Sequence, residues 1–237
     1  MKYLGVRLGH DPAYLTAIAS TALRSRLLLA LLFVDLAFIG VHLALTGFTR
    51  YAHLPEWTLW FNIEKDYAFS EFFEYAKGLA AAALLLRVGM MTSPVLAVIA
   101  FLPLYLVMDN GLRIHENLSI ALTPVHRTRG ELAIMVTIGL LLAAIATFAY
   151  RRANPRERSA ILAVGAAVLV IGTAASAVDA VHVLMKRLDF VVGRLFGLLE
   201  DGGELIGHSL LLATAYAIWK LAPELTAPKA VDALRPA

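Results

Sequence analysis

Glu204 and His208 stand four residues apart, Asp179 and His182 three apart, and Glu71 and Glu74 three apart. Residues at these separations share one face of a helix. Asp109, His115 and Glu116 add a further set, in which Glu116 follows Asp109 by seven residues. His115 and Glu116 are neighbours, so on a regular helix they point about 100° apart. Carboxylates and imidazoles converging from several helices are the donor set of metal sites in bundle cores. Single carboxylates from Glu74 and Glu116, the pair Asp179-x-x-His182, and Glu204-x-x-x-His208 (one residue off that pattern) approximate a di-iron set. His115, His182 and His208, with a carboxylate and an open water position, suit zinc instead. In the zinc case Glu116 or Asp109 is the general base for the bound water. The expected metal ligands are thus Glu74, His115, Glu116, Asp179, His182, Glu204 and His208, with Glu116 and Asp109 catalytic. A metal-free network of ion pairs, such as Glu74–Lys77 and Asp109–Arg113, uses the same residues. A proton or ion path is a third reading, since ionisable groups inside membrane spans mark such paths.

The elements that must carry these residues are membrane helices. The 237-residue chain is 59% apolar and only 16% charged, against about 45–50% and about 25% in soluble domains. Six segments are long and apolar enough to cross a bilayer of about 30 Å. They lie near Leu27–Phe48, Ser70–Gly89, Thr92–Gly111, Leu132–Tyr150, Ala160–Val183 and Glu204–Leu221. None alternates with period two, as barrel strands do. The expected fold is all-α, a polytopic integral membrane bundle of six transmembrane helices. Residues 1–26 are read as a cytoplasmic segment with an interfacial helix, 27–221 as the membrane domain, and 222–237 as a disordered cytoplasmic tail. Asp11-Pro12 supplies an N-cap and a first-turn proline for the interfacial helix. Gly202-Gly203 is expected to turn the chain into the sixth span. The small residues Gly165, Ala166, Ala167 and Gly172 suggest close packing by the fifth.

Charge decides the orientation. The net charge is +3, but the basic residues flank apolar runs instead of forming a stripe, so no nucleic-acid partner is implied. The Arg151-Arg152-Ala153-Asn154-Pro155-Arg156-Glu157-Arg158 loop and the loops on its side hold the larger share of lysine and arginine. The positive-inside rule then puts both termini in the cytoplasm of an inner (cytoplasmic) membrane. The acids and histidines gather at the opposite, outer ends of the spans. Asp35, His42, Glu74, Lys77, Asp179 and His208 lie one or more turns inside, where a charge costs about 2.5–3.5 kcal/mol on insertion scales. With no cysteine in the chain, disulfides, thiolate metal sites and cysteine nucleophiles are excluded. Neither a phosphate-binding loop nor a Gly-x-Ser-x-Gly elbow is present.

Several stretches carry a resemblance: Ser70-Glu71 through Tyr75-Ala76-Lys77, Asp109-Asn110 with Ile114-His115-Glu116, and Leu199-Glu200-Asp201-Gly202-Gly203-Glu204. They resemble an uncharacterised group of bacterial multi-spanning membrane proteins, over roughly residues 62–216. That resemblance implies no reaction. A looser likeness is to the CREST superfamily of membrane hydrolases, which implies a histidine–aspartate zinc site near one membrane face. This chain has six expected spans instead of seven, and no His-x-x-x-His in the last. The expected function is a metal-dependent enzyme acting on a lipid or other apolar substrate at the outer face. The alternatives are a transporter or ion-path protein, and a non-catalytic subunit of a membrane complex.

Overall fold

A computed structural model of the chain describes residues 9–48, 55–122, 127–173 and 190–226. Among the described residues the fold is helical, without a strand. The helices are α1 (Pro12–Leu23), α2 (Arg26–Phe48), α3 (Phe69–Thr92), α4 (Pro94–Ile99), α5 (Phe101–Leu112), α6 (Ile114–Leu122), α7 (Arg127–Arg152), α8 (Pro155–Thr173), α9 (Phe190–Lys220) and α10 (Ala222–Thr226). A 3-10 turn, Glu56–Phe61, lies in the connection between α2 and α3. Among the described residues, three stretches of helix are long and apolar enough to cross a membrane: Arg26–Leu45, Pro94–Leu112 and Ala133–Arg152. This composition is compatible with a membrane protein. The other expected spans depart from that standard for visible reasons. Glu71, Glu74 and Lys77 interrupt the first half of α3, and Glu200, Asp201 and Glu204 interrupt α9. The described part of α8 opens on Arg156-Glu157-Arg158 and ends at Thr173.

The third expected span is broken. Ala100 separates α4 from α5, and its N–H turns back to the Ala97 carbonyl at 3.2 Å. Pro103 accounts for the break, because its ring nitrogen cannot donate to the carbonyl four residues earlier. Past α5, Arg113 takes a left-handed conformation (φ 50°) and redirects the chain into α6.

The long helix α9 is the centre of the bundle and packs against α3, α8, α2 and α1. It begins well before Glu204, so Gly202-Gly203 lies inside the helix instead of turning the chain into it. The sequence expectation is corrected there. A side chain at 202 would make an ordinary contact with Ile39 of α2 at 3.4 Å. Gly207 is tighter still, since a Cβ would sit 2.6 Å from Ile171 Cγ1 of α8. Gly165 and Gly172, expected to pack, face open space among the described residues. Large apolar side chains point outward around the bundle, among them Phe33 at 75% and Met90 at 73% exposed. An apolar exterior of this kind needs a covering partner or lipid.

The basic loop ties one end of the bundle together. Asn154 Oδ1 accepts from the N–H groups of Arg156 and Glu157, both at 3.0 Å, and Glu157 Oε2 accepts from Asn154 N–H at 2.7 Å. This reciprocal capping box starts α8. The buried Arg158 donates to the Tyr150 carbonyl (3.0 Å) and the Gly9 carbonyl (3.3 Å). Asp11 N–H donates to Ser159 Oγ at 3.0 Å, and that hydroxyl donates back to the Asp11 carbonyl at 2.7 Å. Asp11 also caps α1 by accepting from Tyr14 N–H at 3.2 Å. Helix α1 buries Tyr14, Ile18 and Ala22, one stripe at i, i+4, i+8, against α8 and α9. Burial, ahead of the nearby Glu224 carboxylate, pushes the Tyr14 phenol pKa up. Ala222 and Leu225 of α10 are also buried, and 227–237 lie outside the described residues. Replacing Asn154 by alanine should remove the cap and cost about 1 kcal/mol. Thermal unfolding in detergent micelles reads this as a lower melting temperature, and an unchanged one would show the cap to be idle.

Candidate functional site

The buried face of α3 runs Ser70, Glu74, Lys77, Gly78, Ala81, Leu85 and Val88. Its first half is polar and its second half apolar. Helix α2 shows the mirror arrangement, with Leu28 and Leu31 buried first and Asp35 and His42 later. On α9, Leu205, His208 and Ser209 are buried ahead of the apolar run that starts at Leu211. Helix α9 packs parallel to α3 and antiparallel to α2, which brings the three polar halves to one end.

Lys77 sits at the floor of this polar end, 1% exposed, beside Asp35 at 0%. Its ammonium donates to Asp35 Oδ1 at 2.9 Å, to Ser209 Oγ at 3.1 Å and to the Leu205 carbonyl. Ser209 Oγ donates to Asp35 Oδ2 at 2.6 Å, which closes the ring. The Phe73 ring lies 4.6 Å from Nζ. An ammonium has three N–H bonds, and all three are used. The expected Glu74–Lys77 pair is therefore replaced by a pair between helices. A lysine pointing into the bundle reaches the carboxylate of the facing helix more directly than one a turn away on its own.

One turn above Lys77 lies an acidic cleft of about 70 Å³ between α3, α5, α9 and the segment that precedes α3. Glu64, Asp66, Glu71, Glu74, Asp201 and Glu204 all line it, with Lys65 as the single basic residue. Glu71 is held by the Tyr67 N–H and the Tyr75 hydroxyl. Tyr67 reaches it through a left-handed turn (φ 60°). Glu204 accepts from Asn110 Nδ2 at 3.4 Å. Glu64 approaches the buried His42 Nε2 at 3.7 Å. Glu74 is different: it is 6% exposed, and among the described residues no group donates a hydrogen bond to it. Its carboxylate opens into the cleft, the one route by which solvent or an ion reaches it among the described residues. Gathering several acids in one cleft adds repulsion, which favours any proton or cation that enters.

His208 is 1% exposed, and its Nδ1 lies 3.0 Å from the Glu204 carbonyl oxygen. A carbonyl only accepts, so Nδ1 carries the proton and a neutral ring keeps its lone pair on Nε2. The ring packs over Gly78, where a Cβ would lie 3.5 Å from His208 Cδ2. The structure thus brings Glu74, Glu204 and His208 to the polar end of α3 and α9.

The α5–α6 residues form a separate group. His115 N–H donates to Asp109 Oδ1 at 3.0 Å, and its Nδ1 lies 2.9 Å from Asp109 Oδ2. Arg113 takes both oxygens of Glu116 (2.8 and 2.6 Å) and reaches Asp66 at 3.0 Å. These contacts, Glu116 first, hold the guanidinium above its ordinary pKa. The left-handed turn at Arg113 lets the guanidinium fold over α6. The expected Asp109–Arg113 pair gives way to Asp109–His115 for the same reason. Asp179 and His182 lie outside the described residues. Among the described residues no group of three or more histidines and acids is gathered closely enough to hold a metal.

Ser209 and Asn110 join the site without any signal from residue type. Only the pairing of α9 with α2, α3 and α5 reveals them. No curated protein and no solved structure matches the chain. A family model described as a domain of unknown function, DUF8692, matches residues 27–219, from the start of α2 to the end of α9. That span covers most of the chain and the whole polar end described above, and the protein belongs to the DUF8692 family.

Proposed function

We propose that this protein is a six-span membrane protein that takes up a proton or small cation at one membrane face. The acidic cleft is its mouth, Glu74 is the binding group, and the Asp35–Lys77–Ser209 ring is the charged floor. The observation that carries this reading is Glu74, a residue 6% exposed whose carboxylate opens only into a cleft lined by five other acids. A bound proton or cation relieves the repulsion among these acids, and Lys77 beneath them opposes passage of a second positive charge. Intramembrane carboxylates paired with lysine are a usual feature of ion and proton paths. In this reading the basic α7–α8 loop is cytoplasmic and the cleft opens outward across an inner membrane.

The test is flux in proteoliposomes that hold a pH-sensitive dye, under an imposed proton or sodium gradient. The wild-type protein should dissipate one of the two gradients faster than empty vesicles do. Glu74→Gln, which keeps the shape but not the charge, should slow that flux at least about tenfold, the rate effect of about 1.4 kcal/mol. Glu56→Gln should leave it near wild type, since Glu56 is exposed and does not line the cleft. Flux no faster than empty vesicles, or an unaffected Glu74→Gln, would overturn the proposal. Elemental analysis covers the metal-dependent reading, including the zinc site implied by the CREST likeness. Stoichiometric zinc or iron that is lost in His208→Ala would shift the conclusion to a metal site completed by Asp179 and His182.

A further inference from the structure

At the end of the bundle opposite the acidic cleft lies a second cleft of about 550 Å³. It is bounded by the end of α1, the start of α2 and the last turn of α9. Arg24, Arg26 and Lys220 line it together with the hydroxyl residues Ser20, Thr21 and Ser25, and no acidic residue does. None of the three cations has an ion-pair partner among the described residues. Ser25 Oγ caps α2 by accepting from Leu28 N–H at 3.0 Å, so the helix N-terminus also faces this region. Lys220 Nζ lies 5.6 Å from the Tyr216 ring and 5.7 Å from the Trp219 ring. Lysine beside tyrosine and tryptophan is the pattern of a side chain anchored at the membrane–water boundary.

Three unpaired cations with hydroxyl groups and a helix N-terminus make a receptor for a phosphate group. Basic pockets between membrane helices bind anionic headgroups in this way. We infer that the cleft between α1, α2 and α9 binds the phosphate of an anionic membrane lipid. The phosphate lies among Arg24, Arg26 and Lys220, and the acyl chains leave along the exposed apolar side of α2, where Leu29 is 63% exposed. All three cations lie outside residues 27–219, so the site is built from segments that flank the family domain. It stands whether or not Glu74 binds a cation.

The experiment compares thermal unfolding of the full chain in nanodiscs of phosphatidylcholine and in discs containing phosphatidylglycerol. The anionic lipid should raise the wild-type melting temperature, and added salt should shrink the shift. Each basic residue at an anionic surface strengthens binding about fivefold. The triple variant R24Q/R26Q/K220Q should therefore bind on the order of a hundredfold more weakly and lose the shift. R151Q/R152Q, two exposed arginines at the end of α7, should keep most of it. Equal wild-type stability in both discs would overturn the inference. So would an equal loss in R151Q/R152Q, which would mean general surface charge. Inorganic phosphate in phosphatidylcholine discs separates the sources. If it reproduces the full shift, and the triple variant abolishes that too, a soluble phosphate replaces the lipid as the ligand and the lipid assignment fails.

Discussion

Asp35→Ala is expected to destabilise the bundle by about 3–5 kcal/mol, because it strands the Lys77 ammonium in a protein interior. Lys77 is 1% exposed, and its two remaining partners, Ser209 Oγ and the Leu205 carbonyl, are neutral. Lys77→Met should cost a similar amount by stranding Asp35. The double variant D35L/K77M should recover at least half of that loss. A buried ion pair replaced by apolar groups of similar volume is often close to neutral, whereas a broken pair is not. Equilibrium unfolding in mixed micelles measures all three variants. Single variants costing less than about 1 kcal/mol would show that water already reaches Lys77, as it does at exposed pairs. The double variant also separates stability from function. If the proposed ion path is correct, a bundle restored to stability by D35L/K77M should still have altered flux, because its floor has lost its charge.

Gly89→Ala should be the most damaging of the small substitutions. Its Cβ would lie 2.2 Å from the Ala97 backbone nitrogen and 2.5 Å from its Cα. Main chain cannot rotate away as a side chain tip can, so α3 and α4 must separate. Overpacking of this kind costs about 1–3 kcal/mol, and occasionally more. The turn would open next to the Ser93 cap, whose Oγ accepts from Val95 N–H at 3.3 Å. Gly165→Ala supplies the contrast, since its Cβ meets nothing within 4 Å. That change should be neutral or stabilise α8 by roughly 0.5–1 kcal/mol through helix propensity. If melting temperatures of the two variants fall equally, the close approach at Gly89 is not what holds the α3–α4 turn.

Much of the helical layout is legible in the sequence, because apolar runs and caps are local signals. Asp11-Pro12 starts α1 as expected, and the predicted segment Leu27–Phe48 falls within α2. Ser70–Gly89 falls within α3. One error has a tertiary cause. Gly202-Gly203 has the composition of a turn, yet α9 runs straight through it, packed on both sides by neighbouring helices. The break in the third span is itself legible in the sequence, where Pro94 and Pro103 are the candidates for a kink. The site was legible as a layer of polar residues but not as a set of contacts. Helical spacing brought Glu204 and His208 together, because they share a helix. It could not assign Lys77 to Asp35, since that choice depends on which helices are neighbours. Glu116 and Asp109 show the same limit. Their types suit a general base, but the left-handed turn at Arg113 commits them to an arginine and a histidine.

The docking of α1 has a consequence for the order in which the chain can be assembled. Asp11 bonds Ser159, 148 residues away, and the Tyr14 hydroxyl bonds the Leu221 carbonyl, 207 residues away. Helix α1 therefore completes its contacts only with segments made well after it. At about 5–20 residues per second, the interval between Tyr14 and Leu221 is on the order of 10–40 s. Until α8 and then α9 are made, the Tyr14, Ile18 and Ala22 stripe lacks its partners, and lipid or a folding helper must cover it. The newborn protein therefore holds α1 in waiting until these distant segments are made, and Ser159 and Leu221 set the moment of closure.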